Sequence, residues 1–190
     1  EVKNYADLKG KLLGLADEKG SITLSMRKLL ALKGLRADDA PVKIIEGTAA
    51  RLSCLRRGEC AAVPLGQPQD LQAQSEGYRL LGISTESVPQ LLYTVTAVRR
   101  SWAAAHKDAL VRYVRALAGA FRIIRDPSKR DAVTKTIMAT TGVSAAIAEK
   151  TLALYFEPEK RVLPMQAEID LRGLTHMIAL MAEGGLLKAP

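Results

Sequence analysis

The sequence predicts an α/β fold whose second half is purely helical, and three observations carry that reading. Short apolar runs alternate with helix-patterned segments about every 30 residues from 11 to 98, the signature of βαβ units. Ala and Leu supply 55 of the 190 residues against only 8 aromatics, a composition that favours helix and excludes an all-β domain. Beyond residue 98 the apolar runs disappear and only helical periodicity remains.

The elements follow in order. Lys11–Leu15 reads as a strand, and Ser21 opens a helix with Ile22, Met26, Leu29 and Leu30 on one face, closed at Gly34. Val42–Glu46 is a second strand, followed by a helix carrying Ala49, Leu52 and Leu55 to Gly58. Cys60–Val63, closed by Pro64, is a third strand; a short helix near Asp70 runs to Gly77; Tyr78–Ile83 is a fourth strand. Strands at 11–15, 42–46, 60–64 and 78–83 are expected to form one mainly parallel sheet, with helices 21–33 and 48–57 packed on it. A glycine after each helix supplies the left-handed turn that lets the chain return. Leu91–Val98 reads as a fifth strand.

The helical part begins with Leu110, Val114, Leu117, Phe121 and Ile124, an amphipathic stripe of about five turns. Asp126-Pro127 is an N-cap followed by proline at the first helical position. The next helix turns Val133, Thr136, Ile137 and Thr140 one way and stops at Gly142. Ser144 caps another helix, with Ala148, Leu152 and Tyr155 inward. After a charged loop from Pro158 to Pro164, a last helix points Leu174, Met177, Ile178 and Met181 inward and ends at Gly184-Gly185. The chain therefore divides near residue 93 into a βα part, 1–93, and a helical part, 94–190. The helices of the second part are expected to cover a sheet whose other strands lie outside this chain. Their exposed stripe then leads to self-association.

Composition narrows the function classes. The chain carries 28 basic and 20 acidic residues, a net charge of +8, with the excess concentrated in 96–190. The basic residues are scattered, without the stripe and stacking aromatics of a nucleic-acid binder. No apolar run approaches the ~20 residues of a membrane span. The opening Glu-Val-Lys-Asn-Tyr is no signal peptide, so an exported form has lost its signal or carries it upstream. Two histidines, His106 and His176, do not make a zinc site. No P-loop, dinucleotide fingerprint or nucleophile elbow occurs, which argues against an enzyme. Trp102, His106 and Tyr113 read as packing residues.

The candidate binding residues sit where strands end and helices begin. In Asp17-Glu18-Lys19-Gly20-Ser21-Ile22-Thr23 the free N–H groups of a helix start favour an anion, Gly20 permits close approach, and Ser21 and Thr23 add hydroxyls. The rival reading makes Ser21 a plain N-cap. Loops Glu46-Gly47-Thr48 and Pro64-Leu65-Gly66-Gln67 open on the same carboxyl edge of the sheet, where ligands of parallel sheets bind; they add Thr48 and Gln67. No metal site and no cofactor are expected. Cys54 and Cys60 are expected as free thiols, because Cys54 lies beside the apolar Leu52 and Leu55 face of a helix, where buried free cysteine is common.

Several stretches together resemble a known family. Tyr5-Ala6-Asp7-Leu8-Lys9-Gly10-Lys11, then a strand, then Gly20-Ser21 opening a Leu-rich helix to Lys33-Gly34-Leu35, is similar to the second lobe of ABC-transporter substrate-binding proteins. The branch is the NMT1/THI5-like one, with aliphatic-sulfonate, taurine and nitrate binders and thiamine-pyrimidine precursor proteins. Arg51–Ala62, Ser101–Arg125, Thr141-Gly142-Val143-Ser144 and Met181–Leu187 resemble further parts of it. The resemblance implies a periplasmic-binding-protein type II-like fold: 1–93 as the second α/β lobe, and 94–190 as the hinge return strand and C-terminal helices of the first. It implies that roughly the first third of a typical precursor is absent and that ligand binding needs both lobes. The implied function is the substrate-binding component of an ABC importer, periplasmic or lipid-anchored outside the cytoplasmic membrane. It would close by a hinge around a small anionic or polar organic solute (a sulfonate, carboxylate or pyrimidine) and partner a membrane permease. Pyrimidine-synthesising members of the family use His- and Cys-rich stretches, which this sequence lacks. The alternative is the effector-sensing domain of a transcription regulator, which shares the two-lobed architecture; an upstream helix-turn-helix separates it from an exported protein with a signal peptide.

Overall fold

The computed structural model describes residues 2–90, 92, 94–155, 164 and 167–187. The chain forms two compact units, Glu1–Tyr93 with Leu171–Pro190, and Thr94–Asp170.

In the first unit β1 (Leu13–Leu15) and β2 (Val42–Ile44) pair in parallel, Leu13 opposite Val42 and Leu15 opposite Ile44. The crossover between them is α1 (Ser21–Leu32), so the first βαβ unit stands as the sequence predicts. On its other side β1 meets Ala62, through the Ala61 N–H on the Leu12 carbonyl at 2.8 Å and the Gly14 N–H on the Ala62 carbonyl at 3.0 Å. β1 is thus central and fully buried, while β2 is an edge with Val42 and Ile44 exposed. Between β2 and the 61–62 segment runs α2 (Thr48–Arg56), and α3 (Gln69–Ser75) follows.

Alternation along β1 places Leu13 and Leu15 on one face and Gly14 on the other. Leu13 joins Leu8, Leu35 and Ala40 in a core cluster against Met26 and Leu30 of α1. On the opposite face a Cβ at Gly14 would stand 3.0 Å from Cys60 Sγ and from Val63 Cγ1. Only glycine leaves room for that close approach. Cys60 is joined there to Cys54 of α2 by a disulfide, with the Cα atoms 5.5 Å apart. The expectation of free thiols is overturned: the turn at Gly58 folds the chain back after α2, and that return brings the cysteines within bridging distance.

The strand expectations are cut down as well. Segment 60–64 contributes an isolated bridge rather than a full ladder. Tyr78–Ile83 has no ladder, and Leu80 and Ile83 are exposed; only Leu81 packs on the core cluster. An apolar run reads the same with or without a partner strand, and among the described residues this one has none. Of the expected strand 91–98, Leu91 and Tyr93 lie outside the described residues, and 94–98 is irregular and exposed.

α8 (Leu171–Glu183) packs on α1 in this same unit. Leu180 is buried with Leu24 and Val88, flanked by Met177, Met181 and Leu186, and Lys28 Nζ meets Glu183 Oε2 at 2.7 Å. The inward face is therefore rotated from the expected one, leaving Leu174 and Ile178 exposed. α1 is covered on both sides, which explains why consecutive residues Thr23, Leu24 and Ser25 are all buried.

The second unit holds α4 (Arg100–Ala105), α5 (Lys107–Arg125), α6 (Arg130–Thr141) and α7 (Ala145–Tyr155). Asp126 accepts from the Ser128 N–H at 2.9 Å and Pro127 starts a 3-10 turn leading into α6, which ends at Gly142. Ser144 Oγ accepts from the Ile147 N–H at 3.4 Å at the start of α7. Val133, Val143, Ala148 and Leu152 are the unit's buried apolar positions among the described residues, with Thr134 and Thr151 buried beside them in sequence. α5 contains no buried residue: Val114 is 45% exposed and Leu110, Leu117, Phe121 and Ile124 are half-buried. The charged loop from Pro158 falls outside the described residues except for Pro164.

Candidate functional site

The carboxyl ends of β1 and β2 give way to the loops that open α1 and α2. Both helices start at glycine, Gly20 and Gly47, and neither start has a side-chain cap. Gly47 has φ +81°, a left-handed conformation that glycine adopts freely. Among the described residues the N–H groups of Ser21, Ile22 and Thr23 have no hydrogen-bond partner, so the first turn of α1 keeps its donors and its positive dipole end.

A hollow of about 390 Å³ opens at this edge, lined by Ala16, Asp17, Ile22, Glu46, Gly47, Thr48 and Arg51. Of the residues expected from the sequence, Thr48 lines it. It is the first residue of α2, and its Oγ1 accepts from Arg51 Nη2 at 3.2 Å. Gly20, Ser21 and Thr23 are not in the lining. The Gly20 N–H donates to Asp17 Oδ1, and a Cβ at Gly20 would collide with that carboxylate. Thr23 is fully buried and its hydroxyl donates to the Asp17 carbonyl at 2.9 Å, so it locks the loop from within. Ser21 is the first helical residue, not the N-cap, and its hydroxyl has no partner among the described residues. The plain N-cap reading of Ser21 is therefore a misreading by one position.

Gln67 is engaged elsewhere: its amide donates to Asp70 Oδ2 at 3.1 Å. Burial pushes the Asp70 carboxyl above the ordinary range, and the Leu71 N–H and the Gln67 amide partly offset this. A second hollow, of about 400 Å³, lies between Lys19, Arg27, β2 and Leu186 and holds none of the expected residues. Among the described residues no group of three or more His, Cys, Asp or Glu is placed to hold a metal ion.

Two residues at the hollow escaped the sequence reading as site residues. The Asp17 carboxylate turns back onto the start of α1, and Asp17 lines the hollow. Arg51 is 2% exposed, with Nε donating to the Pro64 carbonyl at 2.8 Å and Nη1 to the Ile45 carbonyl at 3.0 Å. A signal for it existed: a cation one turn into a helix opposes the helix dipole, so it needs other acceptors.

The fold matches the alkanesulfonate-binding protein SsuA from Xanthomonas axonopodis pv. citri bound to MOPS, with TM-score 0.75 and 22% identity over 99% of this chain. It also matches the periplasmic aliphatic sulphonate binding protein SsuA from Escherichia coli, with TM-score 0.67 and 18% identity over 99% of this chain. The chain spans 62% and 58% of those two proteins. At these identities the likeness establishes the fold, that of periplasmic binding proteins. No curated protein matches the sequence. The model of the NMT1-like family matches residues 2–138, and the chain belongs to that family.

Proposed function

We propose that the chain is the substrate-binding component of an ABC importer, taking a small anionic or polar organic solute and performing no chemistry on it. The observation that carries this reading is the hollow at the carboxyl edge of the sheet. Two uncapped helix starts and the buried Arg51 converge there. Unsatisfied N–H groups and helix dipoles favour an anion. Thr48 contacts the solute, and the first turn of α1 at Ser21 adds donors. Gly20 and Thr23 hold the loop, and Gln67 supports its own loop through Asp70. The solute is enclosed when a facing lobe closes by a hinge, and the closed population is what a membrane permease recognises. A disulfide-bonded pair suits an oxidising compartment such as the periplasm. The fold neighbours, both sulfonate binders, favour a sulfonate as the anion.

Calorimetric titration with butanesulfonate, butyrate and an aminopyrimidine tests the reading. Saturable heat is expected from at least one of the two anions. Silence from all three sinks the proposal, and heat from the aminopyrimidine alone replaces the anion with a neutral base.

The apolar stripe of α5 supports self-association as a second property. Each such side chain gains ~1.5–3 kcal/mol on full burial, and none on α5 is buried. Light scattering is expected to show species larger than one chain as concentration rises; a monomer throughout removes the inference.

A further inference from the structure

We infer that Arg51 is the positioning residue of this hollow, acting through Thr48 rather than by touching the solute; the inference rests on the solute-binding reading above. All three of its guanidinium nitrogens are engaged: Nε donates to the Pro64 carbonyl at 2.8 Å, Nη1 to the Ile45 carbonyl at 3.0 Å and Nη2 to Thr48 Oγ1 at 3.2 Å. Ile45 follows β2, Pro64 follows the segment paired with β1, and Thr48 opens α2. One planar, rigid fork therefore pins both ends of the Glu46-Gly47 loop, which lines the hollow, to the Pro64 segment behind it, a task a flexible point-charge ammonium cannot match.

The Thr48 contact has a further consequence. A hydroxyl has one proton and two lone pairs. Because the guanidinium only donates, Thr48 Oγ1 must be the acceptor, and its own proton is directed elsewhere. Thr48 lines the hollow, so Arg51 fixes it as a donor facing the solute, which selects an acceptor group such as a sulfonate or carboxylate. The same cation offsets the two strand-end carbonyls, whose partial negative charge would otherwise oppose an anion at this edge.

The test is a double-mutant cycle with butanesulfonate as probe, together with amide hydrogen exchange on the unliganded chain. Arg51→Lys and Thr48→Val are each expected to weaken butanesulfonate binding about tenfold, the loss of one charge-assisted or directed hydrogen bond. The double variant is expected to bind about as weakly as either single one, because the two act as a unit. In a Thr48→Ser background, which keeps the hydroxyl, Arg51→Lys is expected to cost the same factor as in the parent chain. Losses that multiply to about a hundredfold, or no loss in Arg51→Lys, overturn the inference. The exchange arm stands without a ligand. Arg51→Lys should speed exchange at Gly47 and Thr48 while leaving the amides around Leu8 and Leu13 protected, and unchanged exchange at Gly47 and Thr48 overturns the positioning role. Silence of the parent chain toward butanesulfonate, butyrate and the aminopyrimidine together sinks the solute reading, and the exchange result then decides the positioning role by itself.

Discussion

Loss of the Cys54–Cys60 bridge is expected to lower the stability of the first unit by about 2 kcal/mol, the chain-entropy value for so short a loop. The two cysteines are six positions apart, 1% and 2% exposed, and link the last turns of α2 to the segment that pairs with β1. Unlinked, α2 and that segment must find each other through packing alone, and the packing at this point is Gly14 facing Cys60 Sγ, Val63 and Ile45. Denaturant unfolding of the oxidised protein against Cys54→Ala/Cys60→Ala measures the difference. The oxidised protein should also resist alkylation after unfolding until reductant is added. Coincident unfolding midpoints would show that the bridge contributes nothing.

The bridge also marks where the sequence stops being legible. Helix boundaries were readable where they have a local cause: α1, α2 and α6 end at glycine turns, Asp126-Pro127 leads into α6, and Ser144 opens α7. Strands were less so. Tyr78–Ile83 has the composition of a strand but no ladder, and a ladder depends on a partner distant in sequence. The α8 face was misjudged for a similar reason: Leu174 and Ile178 are as apolar as Leu180, and only the position of α1 decides which of them is covered. The cysteine pairing depended on the angle at which the chain returns after Gly58, which spacing alone does not fix.

At the candidate site the edge of the sheet was legible, since parallel strands with helix crossovers force the loops there. The roles within those loops were not. Gly20, Ser21 and Thr23 looked equivalent as donors, yet the structure separates them into a backbone N–H held by Asp17, a hydroxyl without a partner and a buried hydroxyl tied to the Asp17 carbonyl. The first depends on the direction taken by the Asp17 side chain and the third on the course of the backbone at Asp17, neither of which leaves a periodic trace. Arg51 was hidden by being part of an ordinary helical pattern, and its two backbone acceptors lie 6 and 13 positions away.

Those separated roles sharpen what a carboxylate at position 21 should do. Ser21 is the first residue of α1 and caps nothing, so Ser21→Ala is expected to leave stability within about 0.5 kcal/mol of the parent. Ser21→Asp places a negative charge in the first turn, where the helix dipole returns ~0.3–1 kcal/mol at an exposed site. Folding is therefore unharmed or slightly improved. Binding should respond in the opposite sense. The Asp17 carboxylate already lies against the Gly20 N–H, and Asp17 and Glu46 both line the hollow; a further carboxylate would compete for the donors of Ser21, Ile22 and Thr23 while repelling an anionic solute. The affinity for butanesulfonate is expected to fall at least about tenfold in Ser21→Asp, equivalent to one lost charge-assisted hydrogen bond. The loss in Ser21→Ala should be smaller, because the backbone donors survive. Calorimetric titration of both variants, with thermal unfolding on the same samples, reads the two effects separately. A purely structural Ser21 predicts equal affinities in all three proteins, and an unchanged affinity in Ser21→Asp would falsify the placement of the anion at the start of α1.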